Sequence, residues 1–248
     1  MLADEPAGET PATAAETPAT AAPTSFRDVA VARVVDPARL RAERRVQRFL
    51  DAALELMSTS SGKDFTVQEV VERSGQSLRS FYQYFDGKYE LLLALFEESV
   101  RSTAEQLRDQ ISGTADPFER LHLFTVEYFR RCSPAAAPKG ASPRKVPVSA
   151  LAEFAQQLMT EHPKEAARAF VPMVSLYVEL LDDAAAAGSL RAGLDHGRIA
   201  GVVLQAIMFN YFSATISGSS KGDDEADTTD AAEQLWDVLV RGIGTAPA

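Results

Sequence analysis

The sequence predicts an all-α protein, and three observations support that fold class. Apolar residues recur at intervals of three and four over several long segments, as they do along the buried face of a helix. No segment of useful length alternates apolar and polar residues in the manner of a strand. Short polar or Gly-containing stretches separate the helical segments, and no internal repeat of roughly 20 to 50 residues is present.

Residues 1–35 are predicted to be a disordered acidic tail. They are rich in Ala, Pro, Thr and Glu and contain little that could be buried in a core. Asp36 and Pro37 then predict a helix start, with Asp as the N-cap and Pro in the first helical position. Apolar residues from Val46 to Met57 follow the helical spacing, and the polar run 58–63 ends it.

Two short helices are predicted next, and together they form a helix-turn-helix. Thr66 is the expected N-cap of the helix 67–73, and Glu69 completes a capping box. A tight turn at 74–76 leads to Ser77, the expected cap of the helix 78–84. With the preceding helix they make a three-helix domain at residues 36–87, an arrangement compatible with DNA binding.

Residues 88–248 are predicted to form a second, helical domain. Lys88 opens a long apolar helix that ends near Ser112. Pro172 is expected to kink or break one of the later helices, and Gly188 is expected to cap its end. The later helices are predicted at 118–131, 148–159, 163–187, 195–216 and 228–243, with Asp195 as the cap of the fourth. Two loops separate some of them, a proline-rich loop at 133–147 and a polar loop at 217–227.

Composition excludes several classes of protein. The 248 residues contain no apolar run of about 18 to 20 residues, the length of a membrane span. The first residues carry acidic groups where a signal peptide needs positive charge, so we expect a cytoplasmic protein. The chain has a single cysteine, Cys132, which excludes an intramolecular disulfide and a multi-thiolate metal site.

The formal net charge is −10, but the charge is unevenly distributed. Residues 1–25 contain four acidic residues and no Lys or Arg, whereas residues 26–101 contain 12 basic and 12 acidic residues. Phosphates respond most strongly to nearby charges at physiological salt, so a local basic patch is compatible with DNA binding. The arginines crowded at one end of this block are Arg33, Arg39, Arg41, Arg44, Arg45 and Arg48.

The segment from Arg45 to about Glu98 resembles the DNA-binding domain of the tetracycline-repressor (TetR) family. Four strings carry the resemblance: FLDAALEL at 49–56, FTVQEVV at 65–71, SGQSLRSFYQYF at 74–85 and GKYELL at 87–92. The Gly-x-Ser turn, the Tyr-x-Tyr-Phe run and the Lys that opens a long helix follow in the family's register. A match over about fifty residues is far more specific than a helix-turn-helix shape alone, which is often an ordinary helical hairpin.

The resemblance implies which residues face the major groove of DNA. Ser77 matches the cap of the recognition helix, and Leu78, Arg79, Ser80 and Gln83 match groove-facing positions. Arg79 has the geometry to donate two hydrogen bonds to a guanine edge, and Gln83 has the groups to pair with adenine.

Further positions are implied to approach the DNA backbone. Thr66 and Gln68 match positions at the start of the second helix that contact the backbone or a base edge. Tyr82 and Tyr84 match aromatic positions that contact phosphates or support the helix. Lys88 matches a phosphate-binding lysine, and a helix N-terminus favours an anion for independent reasons.

Arg44 and Arg45 are added as DNA contacts because they lie just ahead of the resemblance. A solvated helix face is the competing interpretation of these arginines. Departures from the family pattern at Gln76 and at Leu78-Arg79 leave the operator sequence undetermined.

For the second domain the resemblance implies a ligand site and a homodimer formed by the segments 195–216 and 228–243. A monomeric bundle with the first segment at its centre is the alternative. An apolar pocket with few polar groups is expected, and it predicts a bulky, largely apolar effector such as an acyl or polycyclic compound. The candidate pocket residues are Phe124, Tyr128, Phe154, Tyr177 and Asn210.

Enzyme functions lack the residues they require. The sequence contains neither a Gly-x-Ser-x-Gly elbow nor a Gly-rich phosphate loop, and His122, His162 and His196 have no partner at metal-ligand spacing. No cofactor or metal is expected. The sequence therefore predicts a ligand-responsive regulator, a repressor that binds an inverted-repeat operator as a homodimer. The alternatives are a DNA-binding regulator without an effector and a helical adaptor that binds protein.

Overall fold

The computed structural model describes residues 26–59, 65–133, 151–210 and 225–245. These parts of the chain are helices joined by turns and short loops, and they contain no strand beyond an isolated bridge between Leu190 and Gly244. The all-α fold class is confirmed. The helices are α1 (Phe26–Thr59), α2 (Val67–Ser74), α3 (Leu78–Phe81), α4 (Lys88–Ile111), α5 (Pro117–Cys132), α6 (Ala152–Glu161), α7 (Pro163–Ala186), α8 (His196–Met208) and α9 (Glu225–Ile243).

The chain divides into two units, one ending at Arg45 and the other beginning at Val46. The second unit contains the helix-turn-helix and all the later helices. The predicted boundary between residues 87 and 88 therefore falls inside this unit and stays a prediction.

The predicted start of the first helix was wrong. Helix α1 begins at Phe26, so Asp36 is not an N-cap and Pro37 lies inside the helix. Residues 26–35 contain neither Gly nor Pro, and four of the ten are Ala or Arg, which favour helix. Pro37 removes one backbone hydrogen bond at a cost of about 3 kcal/mol without ending the helix. The prediction of no fixed structure up to Asp36 is therefore wrong for 26–35, and residues 1–25 lie outside the described part.

The bulk of the second unit is built around α7. Two ion pairs join α7 to α4, from Arg168 to Glu97 at 3.0 Å and from Arg108 to Glu179 at 2.7 Å. Both pairs link residues 71 positions apart, which means that α4 and α7 run parallel in one register. Helices α5, α6 and α8 also pack against α7.

Helix α7 corrects the expectation for Pro172. The helix is continuous from Pro163 to Ala186 with Pro172 inside it, so this proline does not break it. The buried residues Met173, Leu176 and Tyr177 follow at once, and their packing holds the helix together past the missing N–H. Gly188 has the expected left-handed conformation, with φ of 79°, just beyond the helix end.

Other predicted bounds shift by a few residues. The recognition helix α3 ends at Phe81 rather than Tyr84, and α6 begins at Ala152 rather than Val148. Helix α8 ends at Met208 and α9 begins at Glu225 rather than Thr228. The remainder of the predicted helix to Ile216, the polar loop up to 224 and most of the proline-rich loop lie outside the described residues.

Candidate nucleic-acid interface

The start of α2 is fixed by a complete capping box, as the sequence predicted. The N–H of Glu69 donates to Oγ1 of Thr66 at 3.2 Å, and the N–H of Thr66 donates to Oε2 of Glu69 at 2.6 Å. The hydroxyl of Thr66 also donates to Glu69 at 2.8 Å. These hydrogen bonds, the backbone one first, lower the pKa of the Glu69 carboxyl. The Thr66 side chain is exposed, but its hydroxyl already donates its hydrogen bond to Glu69. Toward any other group it can only accept a hydrogen bond unless the cap opens.

Lys88 opens α4 and lies beside this capping box. Its Nζ is 4.5 Å from the centroid of the Phe65 ring, which is a cation–π contact. Its charge also contributes to the lowered pKa of Glu69. The sequence pattern did not single out Phe65, because an isolated buried aromatic in front of a cap looks like ordinary core. The Phe65 ring holds the ammonium group of Lys88 at the N-terminus of α4.

The turn between α2 and α3 depends on Gly75. Its φ of 65° is in the left-handed region that glycine adopts without strain. The N–H groups of Gly75 and Gln76 donate to the carbonyls of Glu72 and Val71, both at 3.2 Å. This closes α2 and turns the chain directly into the cap of α3.

The inner face of α3 is anchored by aromatic rings. Phe81 is fully buried, and its centroid is 5.4 Å from that of Phe49 in an edge-to-face arrangement. Phe85 is also buried, with its centroid 6.2 Å from that of Phe49. Ser77 caps the helix by accepting from the N–H of Ser80 at 3.1 Å. A helix of only four residues is therefore held by its cap and by two phenylalanines.

The structure brings three of the predicted groove-facing side chains, Leu78, Arg79 and Gln83, to the surface of α3 and the turn after it, together with Tyr82, which was predicted to contact phosphates or support the helix. Leu78 and Tyr82 are large apolar residues that are nevertheless 43% and 56% exposed, respectively. Arg79 and Gln83 are also exposed. The exposed set offers two apolar groups and two hydrogen-bonding groups, which is the chemistry that base edges require.

Two predicted positions are placed differently. The Oγ of Ser80 is buried and has no hydrogen-bond partner among the described residues, so Ser80 does not point outward as expected. Ser80 directly precedes the buried Phe81 in this four-residue helix. Tyr84 is half-buried and packs against the core, which favours its supporting role.

The remaining predicted DNA contacts lie on α1 and α2. Gln68 is exposed and its amide donates to Glu72 at 2.9 Å. Arg44 and Arg45 are exposed on α1, in the unit that ends at Arg45.

The predicted pocket residues separate into two groups. Phe124, Tyr128 and Tyr177 are buried together, with the centroid of Phe124 5.9 Å from Tyr128 and 5.1 Å from Tyr177. Phe154 instead contacts Tyr89 and Phe96. Asn210 is half-buried just beyond the end of α8. The three rings of the first group are packed on one another, so a ligand between them requires the rings to separate.

Two further observations limit the chemistry of the described parts of the chain. They contain no group of three or more His, Cys, Asp or Glu residues that could hold a metal ion. No helix among them is both long enough and apolar enough to cross a membrane.

A family model described as bacterial regulatory proteins of the tetR family matches residues 49–95. This stretch begins at Phe49 in the first helix, contains the whole helix-turn-helix and ends in α4. These residues therefore form a DNA-binding domain of the TetR family. The prediction of a DNA-binding transcription regulator rather than an enzyme is confirmed.

Relatives differ in how much of this chain they cover. The uncharacterised HTH-type regulator YvdT of Bacillus subtilis is 26% identical over 85 residues, which are 34% of this chain and 44% of YvdT. The chain thus spans less than half of that relative. The fatty acid metabolism regulator of B. subtilis is 21% identical over 203 residues, 80% of this chain and 95% of the regulator.

The fold of this chain is also that of a solved regulator. The crystal structure of FadR from B. subtilis in complex with stearoyl-CoA superposes with a TM-score of 0.55 at 18% identity. The similarity covers 79% of this chain and 98% of FadR. At this identity the likeness establishes the fold and leaves the ligand of the present chain to be argued from its own residues.

Proposed function

We propose that this chain is a ligand-responsive repressor that binds an inverted-repeat operator as a homodimer in the cytoplasm. The observation that carries the proposal is the exposed face of α3, on which Leu78, Arg79, Tyr82 and Gln83 stand on a frame fixed by buried phenylalanines. Rigid support of an otherwise marginal four-residue helix suits insertion into a major groove.

The proposed contacts divide into base recognition and backbone binding. Arg79 donates to a guanine edge and Gln83 pairs with adenine, so these two set sequence preference. Lys88 binds a phosphate at the N-terminus of α4, where the helix dipole adds to its charge. Backbone contacts of this kind set affinity without distinguishing sequences.

A second copy of the chain is the proposed partner of α8 and α9. On α9 an exposed or half-buried stripe of Ala231, Leu235, Val238 and Gly242 recurs at intervals of four, three and four, the spacing of a helix–helix seam. On α8 the solvent face carries Gly201, Val202 and Ala206. Val202 and Val238 are 65% and 69% exposed, and small neighbours allow close approach of a second helix pair.

An acyl compound is the proposed effector. The buried cluster of Phe124, Tyr128 and Tyr177 is apolar, and it carries phenol groups that could orient a polar end of the ligand. The sequence likeness to the fatty acid metabolism regulator of B. subtilis, 21% identical over 80% of this chain, favours an acyl chain over a polycyclic compound. Binding would separate the rings and favour a state with altered spacing of the two recognition helices, which releases DNA.

The experiment that tests the function is a titration of the purified protein against DNA from its own upstream region at two salt concentrations. We expect tight, salt-sensitive binding. Replacing Arg79 with Ala should change the sequence preference, whereas replacing Lys88 with Ala should weaken binding to all sequences and reduce the salt slope by about one.

Matched controls are available on the same protein. Arg191→Ala and Lys164→Ala remove exposed cations that lie in the loop before α8 and on α7, and both should bind like the wild type. If the wild type shows no sequence preference at low salt, or if the Arg79 and Lys88 variants behave alike, the assigned roles are wrong. Addition of a long-chain acyl-CoA should release the DNA if the effector class is right.

A further inference from the structure

A carboxylate of the chain itself occupies the N-terminal end of α2. The first backbone N–H groups of a helix have no partner within the helix, so this end attracts an anion. At α2 that anion is Glu69, whose Oε2 accepts the N–H of Thr66 at 2.6 Å and the hydroxyl of Thr66 at 2.8 Å. Both donors of Thr66 thus point at one oxygen atom. A phosphate that approaches this end of the helix meets a site that already holds a negative charge.

A positive charge lies beside the same carboxylate. The Nζ of Lys88 is 4.5 Å from the ring centroid of Phe65, the residue directly before Thr66. The hydrogen bonds from Thr66 lower the pKa of the Glu69 carboxyl, and the charge of Lys88 lowers it further. Glu69 is therefore ionised at neutral pH, and its full negative charge faces both the donors of Thr66 and the ammonium group of Lys88.

The groups that face Glu69 are the groups expected to contact the DNA backbone. Lys88 is the proposed phosphate ligand, and Thr66 is predicted to approach the backbone or a base edge. Phosphate oxygens attract the same protons as a carboxylate does, so the two anions compete for them. The cap itself requires an acceptor and not a charge, because Gln serves in a capping box as well as Glu does. The charge of Glu69 thus has a consequence separate from capping.

We propose that Glu69 is an internal competitor of phosphate that lowers the affinity of the helix-turn-helix for the DNA backbone. The inference rests on the proposed DNA-binding function and names a residue that sets its strength. Because the backbone is the same at every site, the competition weakens binding to operator and to other DNA by a similar factor. The protein then stays on DNA only where base contacts, such as those proposed for Arg79, add to the backbone contacts.

The test compares the wild type with three variants on two duplexes of equal length. One duplex carries the sequence that the wild type protects in its own upstream region, and the other is random. E69Q removes the charge and keeps the acceptor of the capping box. E69D keeps the charge and shortens the side chain. Urea unfolding and circular dichroism check that each variant folds.

The third variant, E105Q, is the control for net charge. Glu105 is an exposed carboxylate of α4, paired with Arg101 at 2.6 Å. It lies 17 residues after Lys88, which is about 26 Å along the helix. This distance is well beyond the Debye length of about 10 Å at 0.1 M salt, so E105Q changes the net charge by the same amount without affecting the charge near Thr66.

E69Q should bind both duplexes more tightly than the wild type, by about 5-fold at low salt. This is the factor expected for two unit charges about 4 Å apart in water. The gain should shrink to about 3-fold at 0.15 M salt, where the Debye length is about 8 Å. E69D should bind no more tightly than the wild type, and E105Q should match the wild type on both duplexes.

The ratio of E69Q to wild-type affinity decides the inference. An equal or lower affinity of a folded E69Q would show that Glu69 only caps α2, and the same gain for E69D or E105Q would show that the local charge is not the cause. A gain on the protected sequence alone would mean that Glu69 acts on base recognition. If the wild type binds every sequence alike, the proposed operator recognition fails, and the ratio on the random duplex still supports or overturns the competition.

Discussion

The phenol of Tyr89 donates a hydrogen bond to the carboxylate of Glu165, 76 residues further along the chain. Tyr89 follows Lys88 in the first turn of α4, and Glu165 lies in the first turn of α7. The ring of Tyr89 also lies 5.8 Å from Phe154 and 4.9 Å from His162, centroid to centroid. The N-terminus of α4, which carries the proposed phosphate ligand, is thereby attached to the junction of α6 and α7.

Replacing Tyr89 with Phe should loosen this attachment while keeping the ring contacts. One hydrogen bond to a charged acceptor is lost, so the free energy of unfolding should fall by about 2 kcal/mol. If this contact transmits the effector signal to α4, more acyl-CoA should be needed to release DNA, while affinity for DNA without effector changes less. Urea unfolding and a DNA-release titration measure the two effects.

Glu165→Gln is the partner variant for the same contact. An amide oxygen still accepts from the phenol, so this variant should lie between the wild type and Tyr89→Phe in both assays. Loss of stability with an unchanged effector response would show that the contact is structural only.

The Tyr89 contact also shows where sequence analysis stops. Local features were predictable, because the cap of Thr66 by Glu69, the turn at Gly75 and the cap by Asp195 depend on neighbours within four residues. The helix-turn-helix could be recognised for the same reason. Contacts between residues 76 positions apart leave no local pattern, so neither Tyr89 nor Glu165 could be selected in advance.

The wrong predictions have a common physical cause. Pro37 and Pro172 were expected to start, kink or break helices, but one missing hydrogen bond was outweighed by the residues around it. Ser80 was expected to point outward because it is polar, yet its hydroxyl is buried and the next residue, Phe81, is fully buried. In each case the surrounding residues overrode the preference of a single residue, through burial at Pro172 and Ser80 and through helix-favouring neighbours at Pro37.

A charge placed on the proposed dimer seam should separate the two copies. Val238→Glu puts a carboxylate into the exposed apolar stripe of α9 and would bury it against its symmetry mate, which is strongly unfavourable. We expect a monomer by light scattering and a loss of high-affinity binding to the inverted repeat, with the helix content unchanged.

Val171→Glu is the matched control for that prediction. Val171 is also an exposed valine, at 55%, but it lies on α7. This variant should remain dimeric and should bind the operator like the wild type. If Val238→Glu also remains dimeric, the two copies associate through another surface.

The protein should lose stability as the pH rises above about 8.5. Burial raises the pKa of Cys132 to about 12 and that of Tyr177 to about 12, and it also raises the pKa of Tyr128. Each group keeps its proton in the folded state after the unfolded chain has lost it, so unfolding is favoured as the pH rises. The contributions of Cys132 and Tyr177 are complete below the unfolded pKa, about 8.5 for Cys and 10 for Tyr, and disappear as the pH approaches 12.

The cysteine and tyrosine contributions can be separated in urea unfolding experiments between pH 7.5 and 10. In this range Cys132 dominates, at no more than about 1.4 kcal/mol per pH unit. Cys132→Ala should therefore show a flatter dependence of the unfolding free energy on pH than the wild type, whatever its absolute stability. Parallel curves for the two proteins would mean that the thiol does not titrate on unfolding.

Leu78 is expected to contact the methyl group of a thymine. It is a leucine left 43% exposed at the first position of α3, next to Arg79, and a thymine methyl is the apolar group that the major groove offers. Replacing thymines of the operator one at a time with deoxyuridine removes only that methyl. At one position in each half-site, wild-type affinity should fall by about 4-fold, as expected for one methyl returned to water.

The same DNA series distinguishes Leu78 from its neighbours. Leu78→Ala should bind the thymine and deoxyuridine operators equally, because the partner of the methyl group is already gone. Leu123→Ala truncates another exposed leucine, on α5, and should keep the full methyl dependence. If the affinity of Leu78→Ala also falls by about 4-fold when the methyl is removed, a different side chain makes the contact. Tyr82, exposed one turn further on, is then the next residue to replace.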